Sequence, residues 1–202
     1  GLRAETYAIK HTLNRLFIDD RRARLLAADS CRSARKLVQD LRARAEVFFN
    51  QLRDWIEPQT NHAAPLRYCV PNHIENYLAA PVQQLCQELD RVLDQGSASP
   101  EQLLEIKAAK NELAEQCLAL EVFFSMSLPD YVYWFELQGR DAKDISFNCI
   151  PVDVAPRLRE ILFATPEIFP VIITSATLAI AGDINFFLRR IGAESVDALI
   201  LD

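Results

Sequence analysis

Two hydroxyl side chains follow an apolar run near the end of the chain. The stretch PVIITSATLAI, residues 170–180, leads from β-branched residues directly into Ser175, Ala176 and Thr177. Functional groups in α/β sheets collect at the carboxyl ends of strands. A hydroxyl both donates and accepts hydrogen bonds, so the pattern favours a polar contact at a strand end.

The other residue types that perform chemistry are scattered. His11, His62 and His73 are isolated, and surface or structural roles explain them more simply than catalysis. The five cysteines are far apart without a C-x-x-C pair, which argues against a zinc site or iron–sulfur cluster and favours buried thiols in a reducing compartment. The sequence contains no G-x-x-x-x-G-K-S/T loop, D-E-x-H box or G-x-G-x-x-G motif. We therefore expect no catalytic set, cofactor site or metal site within this chain.

The net charge of −6 is unevenly distributed. Residues 1–57 carry 12 Lys/Arg and 8 Asp/Glu, whereas residues 58–202 carry 10 and 20. A solvated helix face is one interpretation of the basic part. A surface that faces a polyanion is the other. The candidate phosphate-contacting residues form three groups: Arg21, Arg22 and Arg24; Arg32, Arg35 and Lys36; Arg42 and Arg44.

Apolar periodicity predicts helices through the first 129 residues. Steps of three and four within residues 2–17 indicate one helix, and those from Ala34 to Ile56 indicate a second of about seven turns. Pro58 should end the second helix. A third helix should end at Gly96. The capping box Ser99–Gln102 should begin a fourth that ends near Met126.

The period changes to two after residue 130, which predicts a β-hairpin from YVYWFELQ and ISFNCIPV. Its aromatic residues could stack on bases, but core packing is the simpler interpretation. A short helix opened by Pro156, a strand over 171–175, a helix capped by Asp183 and a strand over 198–201 should follow. The predicted class is α+β and mostly α-helical. Residues 1–129 form a helical domain, and residues 130–202 form a hairpin with a partial parallel α/β unit.

Residues 150–202 carry a family resemblance. PVDVAPRLREILF and PVIITSATLAIAGDINFFLRRIGA resemble the bacterial DinG/YoaA branch of the XPD-like superfamily 2 DNA helicases, in which Ser-Ala-Thr is helicase motif III. Val152 and Ala193 stand where that branch often has Leu, and neither change touches chemistry. The resemblance implies that residues 1–129 are the arch domain, that residues 130–180 end the first motor domain, which is RecA-like, and that residues 183–202 lead into the second.

The resemblance also implies the function of a larger parent. That parent would be an ATP hydrolase that unwinds DNA with 5′-to-3′ polarity in repair or replication, in the bacterial cytoplasm at the nucleoid. ATP, Mg²⁺ and a 4Fe–4S cluster would be bound upstream of this chain. Ser175, Ala176 and Thr177 would couple ATP hydrolysis to unwinding, and the basic helices would guide single-stranded or forked DNA.

Two further expectations concern the chain as given. The chain lacks an initiator Met and looks like a piece of a longer protein. The piece alone should be inactive. No membrane partner is expected, whereas open edges at strands 171–175 and 198–201 predict a dimer. The alternative to the helicase interpretation is a non-enzymatic helical interaction module.

Overall fold

A computed structural model describes residues 1–17, 25–60, 64–96, 98–139, 143–164, 171–174, 179 and 183–197. The fold is α+β and mostly helical, with one small antiparallel sheet. Contacts divide the chain into two compact units, Gly1–Ile150 and Pro151–Asp202.

The described residues of the first unit form four α-helices and four strands. The helices are α1 (Thr6–Leu16), α2 (Arg32–Ile56), α3 (Ala79–Gln95) and α4 (Pro100–Ser125). The strands are β1 (Leu2–Glu5), β2 (Leu66–Tyr68), β3 (Tyr131–Gln138) and β4 (Asp144–Pro151). Short 3₁₀ turns precede and follow α2, at Asp29–Cys31 and Glu57–Gln59.

The sheet has the strand order β1-β4-β3-β2, so the predicted hairpin forms its centre. β1 pairs with β4, with Leu2 opposite Cys149, and β2 pairs with β3, with Tyr68 opposite Tyr133. The helix predicted for residues 2–17 is therefore wrong over its first four residues. Four residues are too few to show a period, and the strand that pairs with them lies far along the chain.

The predicted end of α3 and both predicted ends of α4 are confirmed. Ser99 accepts a hydrogen bond from the Gln102 amide at 3.3 Å, and the Gln102 side chain accepts one from the Ser99 amide at 3.2 Å, which completes the capping box. Gly96 ends α3 at φ +59°, and Met126 follows the last residue of α4. Local sequence fixes these ends because each depends on residues within one helical turn.

Aromatic rings fill the core where α2, α4 and the sheet meet. Phe123 packs against Phe135 at 4.8 Å between ring centroids, and Phe147 packs against both rings. Tyr133 and Phe135 of the hairpin are 2% and 0% exposed. The core-packing interpretation of the YVYWF stretch is thereby confirmed for these two residues.

The hairpin lies in the first unit, although the sequence interpretation grouped it with the residues that follow. Its outer edges pair with β1 and β2, which tie it to the helical part of the chain. The structural division therefore falls after Ile150. The functional division at residues 129 and 130 stays a prediction.

The second unit contains α5 (Ala155–Leu158), which continues as a π-helical turn (Arg159–Phe163), and α6 (Asn185–Ile191). Asp183 accepts a hydrogen bond from the Asn185 amide at 2.8 Å, although it lies one residue before the N-cap position, Ile184. Gly192 follows α6 at φ +76°. The short helix after Pro156 and the helix after Asp183 are confirmed.

The strand predicted at residues 171–175 is not formed over its described part, residues 171–174. These four residues are exposed, Ile172 to 84%, and belong to no strand. A strand buried on both faces requires pairing neighbours and covering layers, and the sheet in the described part of the chain is made by β1 to β4. The parallel RecA-like unit is therefore not confirmed. Its second strand, residues 198–201, lies outside the described residues.

Candidate nucleic-acid interface

Charge changes sign along α2. Residues 32–44 contain five Lys/Arg and one Asp, whereas residues 45–57 contain one Arg and three Asp/Glu. The buried residues of α2 lie on one face, which packs into the core. Helical periodicity distributes the basic side chains around the remaining surface, so they do not form one stripe.

Arg35 and Arg42 lie two turns apart on the same side of α2 and both contact Phe17. The Arg42 guanidinium donates a hydrogen bond to the Phe17 carbonyl. The Arg35 guanidinium lies over the Phe17 ring, 5.8 Å from its centroid. Both arginines are half-buried, and Phe17 is 1% exposed. Arg35 and Arg42, both candidate phosphate contacts, therefore hold the end of α1 against α2.

Arg32, Lys36 and Arg44 project into solvent from the same half of α2. Arg32 and Lys36 are one turn apart on the face opposite the core. Asp40 lies one turn from both Lys36 and Arg44, so its carboxylate offsets part of their charge. Of the five candidate phosphate contacts on α2, three are thus exposed and two are half-buried.

The segment that carries Arg21, Arg22 and Arg24 lies outside the described residues, but its two flanks are fixed. Phe17 is held by Arg35 and Arg42. The Leu26 amide donates a hydrogen bond to the Leu16 carbonyl at 3.3 Å, and Leu26 is fully buried. Both flanks therefore meet beside the basic half of α2. Ser175, Ala176 and Thr177 also lie outside the described residues.

The histidines within the described residues occupy surface positions. His11 is exposed and stacks on Tyr7, with ring centroids 5.7 Å apart. His73 is exposed and lies 5.8 Å from the Trp55 ring. No three His, Cys, Asp or Glu side chains in the described part of the chain are grouped so as to hold a metal ion.

Burial raises the pKa of three cysteine thiols in the described part of the chain. Burial, reinforced by the Glu121 carboxylate, raises the pKa of Cys117 to about 12. Burial also raises the pKa of Cys86 and Cys149. A thiol held protonated is a poor nucleophile and a poor metal ligand. Cys86, Cys117 and Cys149 therefore act as small apolar side chains.

Sequence reasoning missed an aromatic cleft at the acidic end of α2. This opening of about 360 Å³, here named the Trp55 cleft, lies between α2 and the segment 73–77. Its lining includes Phe48, Gln51, Trp55, His73, Glu75 and Tyr77. In the sequence, Trp55 falls within the apolar pattern that runs from Ala34 to Ile56, and the segment 73–77 has no periodicity. Only the packing of that segment against α2 brings these residues together.

Comparison with known proteins gives a partial similarity to a DNA helicase. No family model matches the chain. The ATP-dependent DNA helicase YoaA of Escherichia coli (strain K12) is 33% identical over 73 residues, which is 36% of this chain and 11% of that protein. The match supports a distant helicase relationship and suggests a helicase-related function. Within the described residues, no helix has the length and apolar character needed to cross a membrane.

Proposed function

We propose that this chain is part of an ATP-dependent DNA helicase of the XPD-like type, in which the helical unit holds and guides single-stranded DNA. The basic half of α2 is the observation that carries the proposal. Arg32, Lys36 and Arg44 are exposed there. The similarity to a DNA helicase over 73 residues supports the same assignment.

The expected mode of binding is electrostatic and independent of sequence. Exposed guanidinium and ammonium groups neutralise phosphates, and the release of counterions makes such binding weaken with salt. Arg21, Arg22 and Arg24, which lie outside the described residues, would add their positive charge to this surface. Arg35 and Arg42 would contribute indirectly, by holding Phe17.

ATP hydrolysis and unwinding belong to the proposed parent rather than to the described residues. ATP, Mg²⁺ and a 4Fe–4S cluster would be bound by other parts of that protein, in the bacterial cytoplasm at the nucleoid. In this proposal Ser175 and Thr177 relay the state of the ATP site through hydrogen bonds to a neighbouring strand. They would not perform the hydrolysis.

Substituting both Ser175 and Thr177 by Ala in the full-length protein tests this coupling role. We expect the rate of strand separation to fall more than the rate of DNA-stimulated ATP hydrolysis, because the substitutions remove hydrogen bonds and leave the phosphate site intact. The two rates are measured on the same preparation. An equal loss of both would contradict a relay.

A non-enzymatic interaction module is the second candidate, and the Trp55 cleft is the observation that favours it. DNA binding by the 202-residue chain separates the two proposals. A helicase segment should bind a fluorescent single-stranded oligonucleotide at low salt, and sodium chloride should weaken that binding. An interaction module should leave the anisotropy of the oligonucleotide unchanged at the same protein concentrations.

A further inference from the structure

The Trp55 cleft has an apolar floor and aromatic walls. Phe48 and Leu52 form the floor and are 2% and 3% exposed. Trp55 is half-buried, whereas Tyr77 is 36% exposed. The lining therefore offers a ligand two aromatic rings, one from α2 and one from the segment 73–77.

Both rings are held in place without a ligand. The Trp55 ring packs edge-on against Phe135, with centroids 6.0 Å apart. The Tyr77 ring packs edge-on against Phe48 at 4.9 Å, and its hydroxyl donates a hydrogen bond to Gln51 Oε1 at 3.2 Å. Binding to such a preformed opening costs little ordering of side chains.

The charges around the cleft favour a cation. Glu75 lies in the lining, and its carboxylate has no hydrogen-bond or ion-pair partner among the described residues. In the adjoining half of α2, Arg53 pairs with Asp54 at 3.8 Å, and Glu46 lies on the side of the helix away from Phe48 and Trp55, so Glu75 is the acidic group that the lining provides. The C-terminal end of a helix also carries partial negative charge. A phosphate would be repelled here, unlike at the basic half of α2.

We propose that the Trp55 cleft binds an arginine side chain presented by a protein partner. A guanidinium stacks on the face of Trp or Tyr through cation–π attraction and pairs with a carboxylate in the same plane. Trp55, Tyr77 and Glu75 supply these groups in one opening. The site lies at the end of α2 remote from Arg32 and Lys36, and the proposal does not rest on DNA binding.

The indole N–H signals of the ¹⁵N-labelled chain provide the test. The chain has two tryptophans, Trp55 and Trp134, and Trp134 donates a hydrogen bond to Glu136 at 2.7 Å, so its signal serves as an internal reference. We expect the capped tripeptide acetyl-Gly-Arg-Gly-amide to shift the Trp55 signal saturably and to leave the Trp134 signal in place. The matched peptide with Gln in place of Arg should leave both signals unchanged.

Charge-removing variants assign the binding to Glu75. Glu75→Gln should lower the affinity for the arginine peptide about three-fold, as expected for the loss of one exposed ion pair. Glu105→Gln removes the same charge from an exposed position on α4 and should leave the affinity unchanged. The proposal would be overturned if the arginine peptide left the Trp55 signal unchanged, or if the wild type and Glu75→Gln bound the peptide with equal affinity. A thymidine oligonucleotide that moved the Trp55 signal when the arginine peptide did not would also overturn it, in favour of base stacking.

Discussion

At the scale of single residues, position decides which basic side chains are available to a partner. Arg42 and Arg44 are two residues apart and of one type, yet they do different things. Arg42 donates to the Phe17 carbonyl from a half-buried position, whereas Arg44 is exposed. A loss of DNA binding in an Arg42 variant would therefore not distinguish an altered structure from a lost phosphate contact.

Stability measurements should separate these two arginines. Arg42→Met removes the donor to a buried carbonyl while keeping a side chain about as long as the aliphatic part of Arg, and should lower the free energy of unfolding by about 1–2 kcal/mol. Arg44→Met should change it by less than about 0.5 kcal/mol. Urea denaturation of both variants provides the comparison. Equal destabilisation would show that the contact with Phe17 contributes nothing specific.

The thiols give a prediction for alkaline pH. The folded pKa of Cys117, about 12, exceeds that of a thiol in an unfolded chain, roughly 8.5. The neutral thiol therefore contributes stability that is fully present below pH about 8.5 and is lost as pH rises towards 12.

Thiol labelling checks this assignment. At pH 8.5 a disulfide reagent should modify the exposed Cys69 rapidly and Cys117 only as fast as the chain unfolds. Mass spectrometry of timed samples distinguishes the two sites, and labelling in urea confirms that both are reactive. Equal labelling rates in the native chain would mean that Cys117 is neither buried nor held protonated.

At the scale of elements, close packing of α5 against the end of α6 organises the second unit. The Arg159 guanidinium donates a hydrogen bond to the Gly192 carbonyl at 2.9 Å and pairs with Glu194. A Cβ atom at Gly192 would collide with the Ala155 carbonyl oxygen. Gly192 is therefore required both by its φ of +76° and by the approach of another backbone segment.

Gly192→Ala and Gly96→Ala form a matched pair. Both glycines follow a helix with positive φ, but a Cβ at Gly96 has nothing within 4 Å. Gly96→Ala should cost about 1 kcal/mol for the left-handed conformation. Gly192→Ala should in addition displace α5 from α6 and increase amide hydrogen exchange throughout residues 185–191. Unchanged exchange in these amides would contradict the packing described here.

The elements also show which parts of the fold sequence patterns can reveal. The stripe of α2 and the capping box of Ser99 depend on residues a few positions apart, so both could be predicted. β1 depends on a distant pairing with β4. The strand predicted at residues 171–175 would need pairing neighbours, which the described sheet does not provide for residues 171–174. The inward orientation of Arg35 and Arg42 and the Trp55 cleft arise from tertiary packing, which no local pattern encodes.

At the scale of the whole molecule, α2 presents two surfaces of opposite charge. Its basic half is the proposed DNA-holding surface, and its acidic half borders the Trp55 cleft. A chain with a net charge of −6 would be repelled by DNA if its charges were evenly distributed. DNA binding therefore depends on local positive charge. Dimerisation through open strand edges stays a prediction, and sedimentation of the 202-residue chain would test it.

The salt dependence of binding to a single-stranded oligonucleotide tests the proposed surface most directly. One variant replaces Arg32, Lys36 and Arg44 by Gln. The control variant replaces Arg67, Arg91 and Lys107 by Gln, so it changes the net charge equally. These three side chains are exposed elsewhere on the first unit. Fluorescence anisotropy at several sodium chloride concentrations gives the slope of log K against log salt concentration. We expect the α2 variant to bind more weakly and its slope to be shallower by about 2, since each lost phosphate contact removes about 0.7. The control should keep the wild-type slope. Equal slopes for the α2 variant and the wild type, or an equal loss in the control, would contradict the account.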